Sequence, residues 1–146
     1  MRGTRNSLAI GPTSGTGLRQ SIYYAANIKG GSNTVTVTFN QSAQSPDVRI
    51  LEYQGVSAVD VTAGASGNSR TANSGAATTT TAAELIFGAA TVGTTVKGAG
   101  SGFTSRIITS DGDNAEDRVV TTKGSYSATA PLKPSGAWVM QMVAFK

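Results

Sequence analysis

Apolar and polar residues alternate along much of this 146-residue chain, with the two-residue period of a β-strand. The segment NTVTVTFN, residues 33–40, places valine and phenylalanine on one side and threonine on the other. The segment SIYYAANI, residues 21–28, alternates in a similar way, and the Gly-Gly-Ser-Asn stretch between the two segments is typical of a turn. The pattern therefore predicts a β-hairpin over residues 21–40.

Further strand-like segments follow at short intervals. DVRILEY, residues 47–53, is apolar on both sides and is predicted to be a central strand. AVDVTA, residues 58–63, is predicted to be a short strand, and residues 64–82 a long polar loop that contains a threonine-rich edge strand at residues 76–81. ELIFGAATV, residues 84–92, is predicted to be buried, with Gly88 allowing a bulge or close packing. The remaining predicted strands are GFTSRIITS, DRVVTT, SYSATA and AWVMQMVAF.

About ten short strands and the absence of a helical period predict an all-β fold. The favoured architecture is an antiparallel β-sandwich of the jelly-roll kind, formed by residues 1–146 as a single domain. Within it, residues 1–7 are expected to be a non-native start or an unpaired arm. Composition agrees with this fold, because 18 glycines and only 14% charged residues suit strands joined by tight turns.

Charge and hydropathy argue against two classes of partner. The net charge is +4, but the 12 lysines and arginines are scattered singly, whereas phosphate-binding surfaces usually cluster them. No apolar run reaches the roughly 20 residues that a membrane helix needs. We therefore expect neither a nucleic-acid nor a membrane partner.

The chain has no cysteine and no histidine, which excludes Ser-His-Asp and Cys-His catalysis and nearly all zinc chemistry. Half of its eight acidic residues lie in SDGDNAEDR, residues 110–118. Aspartate and asparagine often cap turns, so this stretch is interpreted first as a polar turn. Calcium binding is the alternative, although the spacing does not fit an EF-hand. The candidate calcium ligands are Asp111, Asp113, Asn114, Glu116 and Asp117.

Catalysis by carboxylates is a further alternative. Without histidine or cysteine, the enzyme class that remains credible is a small glycoside hydrolase that uses two carboxyl groups. Its candidate residues are Glu52, Glu84 and Glu116. A solvent-facing Glu52, or one paired with Arg49, is the competing interpretation.

Aromatic residues raise the possibility of sugar binding, because flat rings on β-sandwiches stack against pyranose faces. The candidates are Tyr23, Tyr53 and Tyr126, while Trp138 lies in an apolar run that favours the core. Tyr23 lies opposite the apolar side of its strand, where it is expected to be exposed. A single outward tyrosine is also ordinary on any protein surface.

Several stretches give the chain a family resemblance over most of its length. They are QSIYYAANI, NTVTVTF, PDVRILEYQGV, ELIFGAATV, GSGFTSRIITSDGD, AEDRVV, GSYSATAPL and GAWVMQMVAFK. In these stretches the chain resembles secreted β-sandwich domains of surface proteins from soil bacteria. The resemblance implies a fold class and an extracellular or cell-surface setting, without an assigned activity.

In proteins of that kind, further strands precede the segment that corresponds to SLAIGPT. Their absence from this chain would leave a sheet edge open, with unpaired backbone groups that invite another copy. We therefore expect a homo-oligomer formed by strand addition or exchange. The overall expectation is a non-catalytic, adhesive or structural module that binds a polysaccharide or a surface protein.

Overall fold

A computed structural model describes residues 6–146, and in this part of the chain all regular structure is β-strand, with no helix. Every strand pairing is antiparallel, which confirms the all-β, antiparallel prediction. The strands are β1 Ser7–Gly15, β2 Leu18–Tyr24, β3 Val59–Asn73, β4 Ala77–Thr78, β5 Glu84–Val92, β6 Thr104–Ile108, β7 Asn114–Val120, β8 Ser125–Tyr126 and β9 Thr129–Phe145.

A five-stranded sheet in the order β3-β9-β5-β7-β6 forms the centre of the fold. Two small sheets accompany it, the β1-β2 hairpin and the β4-β8 pair. The two longest strands, β3 and β9, pair along most of their length, with a register shift between Ser69 and Thr71. The strand order does not confirm the jelly-roll version of a sandwich. No helix capable of spanning a membrane is found within residues 6–146.

One side of the five-stranded sheet, called here the front face, carries the larger apolar core. Even-numbered residues of β5 and β9 supply its buried side chains, in keeping with the two-residue period of a strand. The chain's own loops and strand ends cover this face, contributing Ala72, Val96, Ala128, Ala130 and Leu132. Trp138 is also in this cluster, as predicted, and its indole Nε1 donates a hydrogen bond to Ser69 Oγ at 2.9 Å.

The opposite side, called here the back face, is covered differently. The β1-β2 hairpin packs Ile10 and Ile22 against Ala89 and Val143. This apolar cluster is small, and polar side chains fill much of the remaining contact between the hairpin and the sheet. The hairpin and the sheet thus form two unequal layers.

The predicted hairpin over residues 21–40 is wrong. Strand β2 ends at Tyr24 and pairs with β1, and residues 33–40 belong to no strand. Residues 47–53 are not a central strand either, although their burial alternates, with Arg49 partly buried and Ile50 exposed. Both segments have the sequence pattern of a strand, but no other strand lies beside them. The prediction fails because a strand also needs a neighbour for backbone pairing, and the pattern of one segment cannot specify that neighbour.

Other predictions fare better. The strand over residues 84–92 is confirmed as β5, and the edge strand expected near residue 78 is the short β4. The long polar loop is wrong, because β3 continues through Gly64 and Gly67 to Asn73. Both glycines lie against other side chains, and a Cβ at Gly67 would stand 2.6 Å from Trp138 Cζ2. Glycine here permits close packing within a strand.

The amino-terminal prediction falls largely outside the described structure. Residues 1–5 of the expected non-native start or unpaired arm are not among the described residues. Ser7 begins β1 and pairs with Tyr24, so this end of the predicted arm is part of the hairpin.

Gly88 at the centre of β5 gives a test of packing on the front face. A Cβ at Gly88 would lie 2.7 Å from Ala128 Cβ and 3.1 Å from Glu116 Cγ. We expect Gly88→Ala to lower the free energy of unfolding by about 1–3 kcal/mol, measured by urea denaturation. The matched control is Gly98→Ala, since a Cβ there meets nothing within 4 Å. Equal stability of the two variants would contradict this account of the close packing at Gly88.

Candidate functional site: an uncovered segment beside a polar network

The most unusual surface of the described chain is a continuous stretch of exposed residues, 27–48, called here the uncovered segment. Its apolar side chains are not hidden: Val37 is 50% exposed and Phe39 is 53% exposed. Soluble domains usually bury a row of alternating valine and phenylalanine residues against another layer. The sequence pattern of the uncovered segment therefore predicts a second layer of side chains packed against it, and no such layer lies there within residues 6–146.

The backbone of this region is equally without partners inside the described chain. Residues 25–56 make no backbone–backbone hydrogen bond to another part of residues 6–146, the next such bond being Ser57 N to Lys146 O at 2.7 Å. Exposed N–H and C=O groups in a segment with a strand-like sequence pattern are a template for pairing with another strand. The uncovered segment thus offers both apolar side chains and free backbone groups.

Arg49, directly after the uncovered segment, anchors it to the back face. Its Nη1 donates to the carbonyl oxygens of Ala90, at 2.7 Å, and Asn114, at 2.5 Å. These two residues are opposite each other at the end of the β5-β7 ladder, so the guanidinium caps that ladder. Burial lowers the pKa of Arg49, while the carboxylates of Asp113 and Asp47 favour its charge.

A network of buried polar side chains extends from this arginine. Arg49 Nη2 donates to Gln20 Oε1 at 3.0 Å and to Thr91 Oγ1 at 2.9 Å. Gln20 Nε2 donates to Gln141 Oε1 at 3.1 Å, and Gln141 Nε2 donates to Thr13 Oγ1 at 2.8 Å. The network thereby joins the hairpin, β5 and β9 to the anchored end of the uncovered segment.

A second contact holds residues 51–54 against the sheet. The hydroxyl of Tyr53 donates to Asp117 Oδ2 at 2.7 Å, and Arg106 binds the same carboxylate through two hydrogen bonds of 2.7 and 2.9 Å. Burial opposes ionisation of Asp117, but the hydrogen bonds from Arg106 and Tyr53 outweigh it and lower the pKa. A shallow depression of about 390 Å³ lies here, lined by Leu51, Glu52, Tyr53, Gln54 and Arg106.

Glu116 is the most deeply buried carboxyl group that the sequence singled out. It lies on the front face with no exposed surface, and burial raises its pKa to about 7. Its Oε2 accepts hydrogen bonds from Gly100 N, at 2.8 Å, and Asn114 Nδ2, at 3.3 Å, while Oε1 has no hydrogen-bond partner among the described residues. A loop covers this carboxyl, so it does not line an open cleft.

The structure separates the five candidate calcium ligands. Asp111 is exposed in the β6–β7 turn, while Glu116 and Asp117 point to opposite faces of β7. Asp113 Oδ1 and Asn114 Oδ1 instead accept backbone hydrogen bonds from β5, at 2.8 and 3.2 Å. Residues 6–146 contain no group of three or more acidic side chains placed to hold one metal ion.

The three candidate catalytic glutamates do not meet either. Glu84 and Glu116 share the front face, but their register places them four positions apart, which is about 13 Å along a strand. Glu84 Oε1 accepts hydrogen bonds from Thr81 N and Oγ1 at 3.1 and 2.5 Å. Glu52 is exposed beside the back face, and Arg49 pairs with Asp47 at 3.2 Å. Glycosidases need two carboxyl groups about 5–9.5 Å apart.

The three candidate sugar-binding tyrosines occupy separate places. Tyr23 is 62% exposed on β2, as expected, and pairs with Leu8. Tyr53 is engaged with Asp117, and its ring meets Phe87 edge-on at 6.3 Å. The ring of Tyr126 lies 5.4 Å from the guanidinium of Arg118. These three rings form no common platform.

Sequence reasoning missed the polar network altogether. Gln20, Thr91 and Gln141 lie in strand-like segments where a polar residue usually marks the solvent side. Arg49 carried a usable signal, because it is a positive charge flanked directly by Val48 and Ile50. A charge in such a position requires several hydrogen-bond acceptors when it is buried.

Removing the guanidinium tests the anchor. Arg49→Met would leave the carbonyl groups of Ala90 and Asn114 and the amide oxygen of Gln20 without this donor, so we expect a loss of about 2–4 kcal/mol in unfolding free energy. Limited proteolysis within residues 49–53 should accelerate, because this segment would no longer be held against the sheet by the guanidinium. Arg70→Met, at an exposed position of β3, is the matched control. An unchanged rate of proteolysis within residues 49–53 in the Arg49 variant would show that the guanidinium is not the anchor.

The raised pKa of Glu116 predicts how the free energy of unfolding changes with pH. Because its folded pKa is about 7 against an ordinary value of 4.5, the folded protein binds more protons between these pH values. The unfolding free energy should therefore fall as pH rises from about 4.5 to about 7, by on the order of 2–3 kcal/mol from this group.

Glu116→Gln, which imitates the protonated form, isolates this contribution. The difference between the variant and the unmodified protein should grow in favour of the variant across that pH interval. Urea denaturation at several pH values measures it, and groups common to both proteins cancel. A difference that does not change with pH would rule out a raised pKa at Glu116.

Comparison with known proteins gives no match to a protein family, to a curated protein or to a solved structure. Function is therefore inferred from the geometry of the chain itself.

Proposed function

We propose that this chain is a non-catalytic, extracellular β-sandwich module that binds another polypeptide by strand addition along the uncovered segment. The observation that carries the proposal is the run of exposed residues 27–48, whose alternating pattern has no strand opposite it in the described structure. The extracellular setting rests on the resemblance to surface-protein domains.

Strand addition uses both properties of this segment. In this mode of recognition, main-chain hydrogen bonds supply affinity, and alternate side chains supply specificity. Val35, Val37 and Phe39 would form one apolar side of the new pair, with threonine on the other side. Burying this side on binding removes apolar area from water at roughly 25 cal/mol per Å².

The attachment of the segment supports the same role. Strand β2 precedes the segment, and Arg49, the residue that follows it, is hydrogen-bonded to the sheet. The exposed stretch is therefore held at both ends. Holding the ends limits the conformations available before binding and so reduces the entropy lost when a partner strand is added.

Carbohydrate binding and glycoside hydrolysis receive less support. Sugar-binding surfaces need grouped aromatic rings, whereas Tyr23, Tyr53 and Tyr126 lie apart. Hydrolysis needs two carboxyl groups in one cleft, whereas Glu84 and Glu116 lie far apart along adjacent strands and Glu116 is covered. Polypeptide binding requires neither arrangement.

A simple probe of strand addition is a synthetic peptide of alternating threonine and valine with a lysine at each end. We expect saturable binding by fluorescence anisotropy, together with slower hydrogen exchange of the amides in residues 33–40. Val37→Lys should weaken binding about tenfold, because a charge replaces an apolar contact at the centre of the segment.

Val119→Lys is the matched control, since Val119 is exposed on β7, outside the segment. It should leave peptide binding unchanged. Absence of peptide binding at concentrations where the chain is monomeric, or equal weakening by both variants, would overturn the proposed function.

A further inference from the structure

We propose that the strand added to the uncovered segment is the same segment of a second copy, paired antiparallel with Val37 on the two-fold axis. This inference rests on the proposed function and names its partner. It follows from the sequence of residues 33–40, from their exposure and from their lack of charge.

Residues 33–40 are complementary to themselves in one antiparallel register. Side chains directly opposite each other lie on the same side of a sheet, so apolar residues must meet apolar residues. Placing Val37 opposite its own copy also places Val35 opposite Phe39, and Thr36 opposite Thr38. One side of the pair is then wholly apolar, and the other carries threonines.

Neighbouring two-fold registers are poorer. A two-fold axis at Thr36 still pairs Val35 with Val37, but it sets Phe39 opposite Asn33. A two-fold axis at Thr38 sets Val35 opposite Gln41. The register centred on Val37 is the one of the three that gives every apolar residue of the segment an apolar partner.

Charge does not oppose this contact. Residues 30–46 contain no charged side chain, although the whole chain has a net charge of +4. The nearest charges are Lys29 on one side and Asp47 on the other, and Asp47 is already paired with Arg49. Two copies can therefore bring their segments together without facing like charges across the new pair.

Steric access to the segment does not oppose this dimer contact either. Every residue from 27 to 48 is exposed, so a second copy meets no covering loop among the described residues. A two-fold contact is closed at the edge that pairs, because both copies use the same edge of the segment. Such a contact yields a dimer and satisfies one edge of each segment, while the outer edge keeps its unpaired N–H and C=O groups.

The experiment uses the full chain, in which cysteine is absent, so that single cysteines report the register directly. Residues opposite each other in an antiparallel pair lie about 4.5–5.5 Å apart between Cα atoms, within the range of a disulfide. Under mild oxidation, we expect Val37→Cys to give a covalent dimer. Val35→Cys alone and Phe39→Cys alone should give little covalent dimer. A chain that carries both substitutions should give a covalent dimer, because position 35 of one copy then faces position 39 of the other.

Light scattering on the unmodified chain measures the association without cross-linking. We expect a dimer at micromolar concentration, with Val37→Lys raising the dissociation constant about tenfold or more through two facing charges. Val119→Lys should leave the dimer unchanged. A monomer at about 100 μM, or equal cross-linking by all three single cysteines, would overturn the inference.

The two proposals fail separately. A monomeric chain that still binds the threonine–valine peptide overturns only the choice of a second copy as partner. A chain that neither dimerises nor binds the peptide overturns the proposed function as well.

Discussion

The guanidinium of Arg49 is the contact on which the back of this fold depends. It donates to carbonyl oxygens of β5 and β7 and to the side chains of Gln20 and Thr91. The apolar contact between the hairpin and the sheet is small, so satisfied polar groups make up much of that interface. Buried polar groups are costly when unpaired and specific when fully paired, which ties the position of residues 49–53 to the sheet.

The acidic residues of the chain mostly follow the same logic. Asp60 accepts from Lys146 and Thr80, Asp113 accepts from Val92, and Asp117 accepts from Arg106 and Tyr53. These carboxylates complete hydrogen bonds at strand ends and between layers, and two of them also lie beside a second carboxyl group, Asp60 beside Glu84 and Asp113 beside Asp47. Glu116 differs, since burial outweighs its two hydrogen bonds and raises its pKa to about 7. The acidic cluster in the sequence is thus divided between the β6–β7 turn, which holds Asp111 and Asp113, and the two faces of β7, which hold Glu116 and Asp117.

The uncovered segment is the counterpart of this well-satisfied region. On one side of Arg49, every buried group of the network has a partner, and on the other side residues 27–48 have exposed apolar side chains and free backbone groups. The same two-residue period that builds the covered strands is present there without a neighbour. This contrast within one short stretch of chain is why a partner strand, and not a small ligand, is the proposed occupant.

The sequence by itself determined the all-β class, the strands near residues 84–92 and 137–145, and the burial of Trp138. In these two nine-residue segments, apolar residues on both sides favour the centre of a sheet. The shorter segment 47–53 is also apolar on both sides but carries Asp47, Arg49 and Glu52, and it lies outside every strand. Tertiary structure alone decided that residues 33–40 stay unpaired and that β3 continues through its glycines. It also decided that Glu116 is buried on the front face while Asp117 binds Arg106 and Tyr53 on the back face. Strand pairing and side-chain burial depend on which segment lies alongside. The alternation of apolar and polar residues shows only that a segment can form a strand.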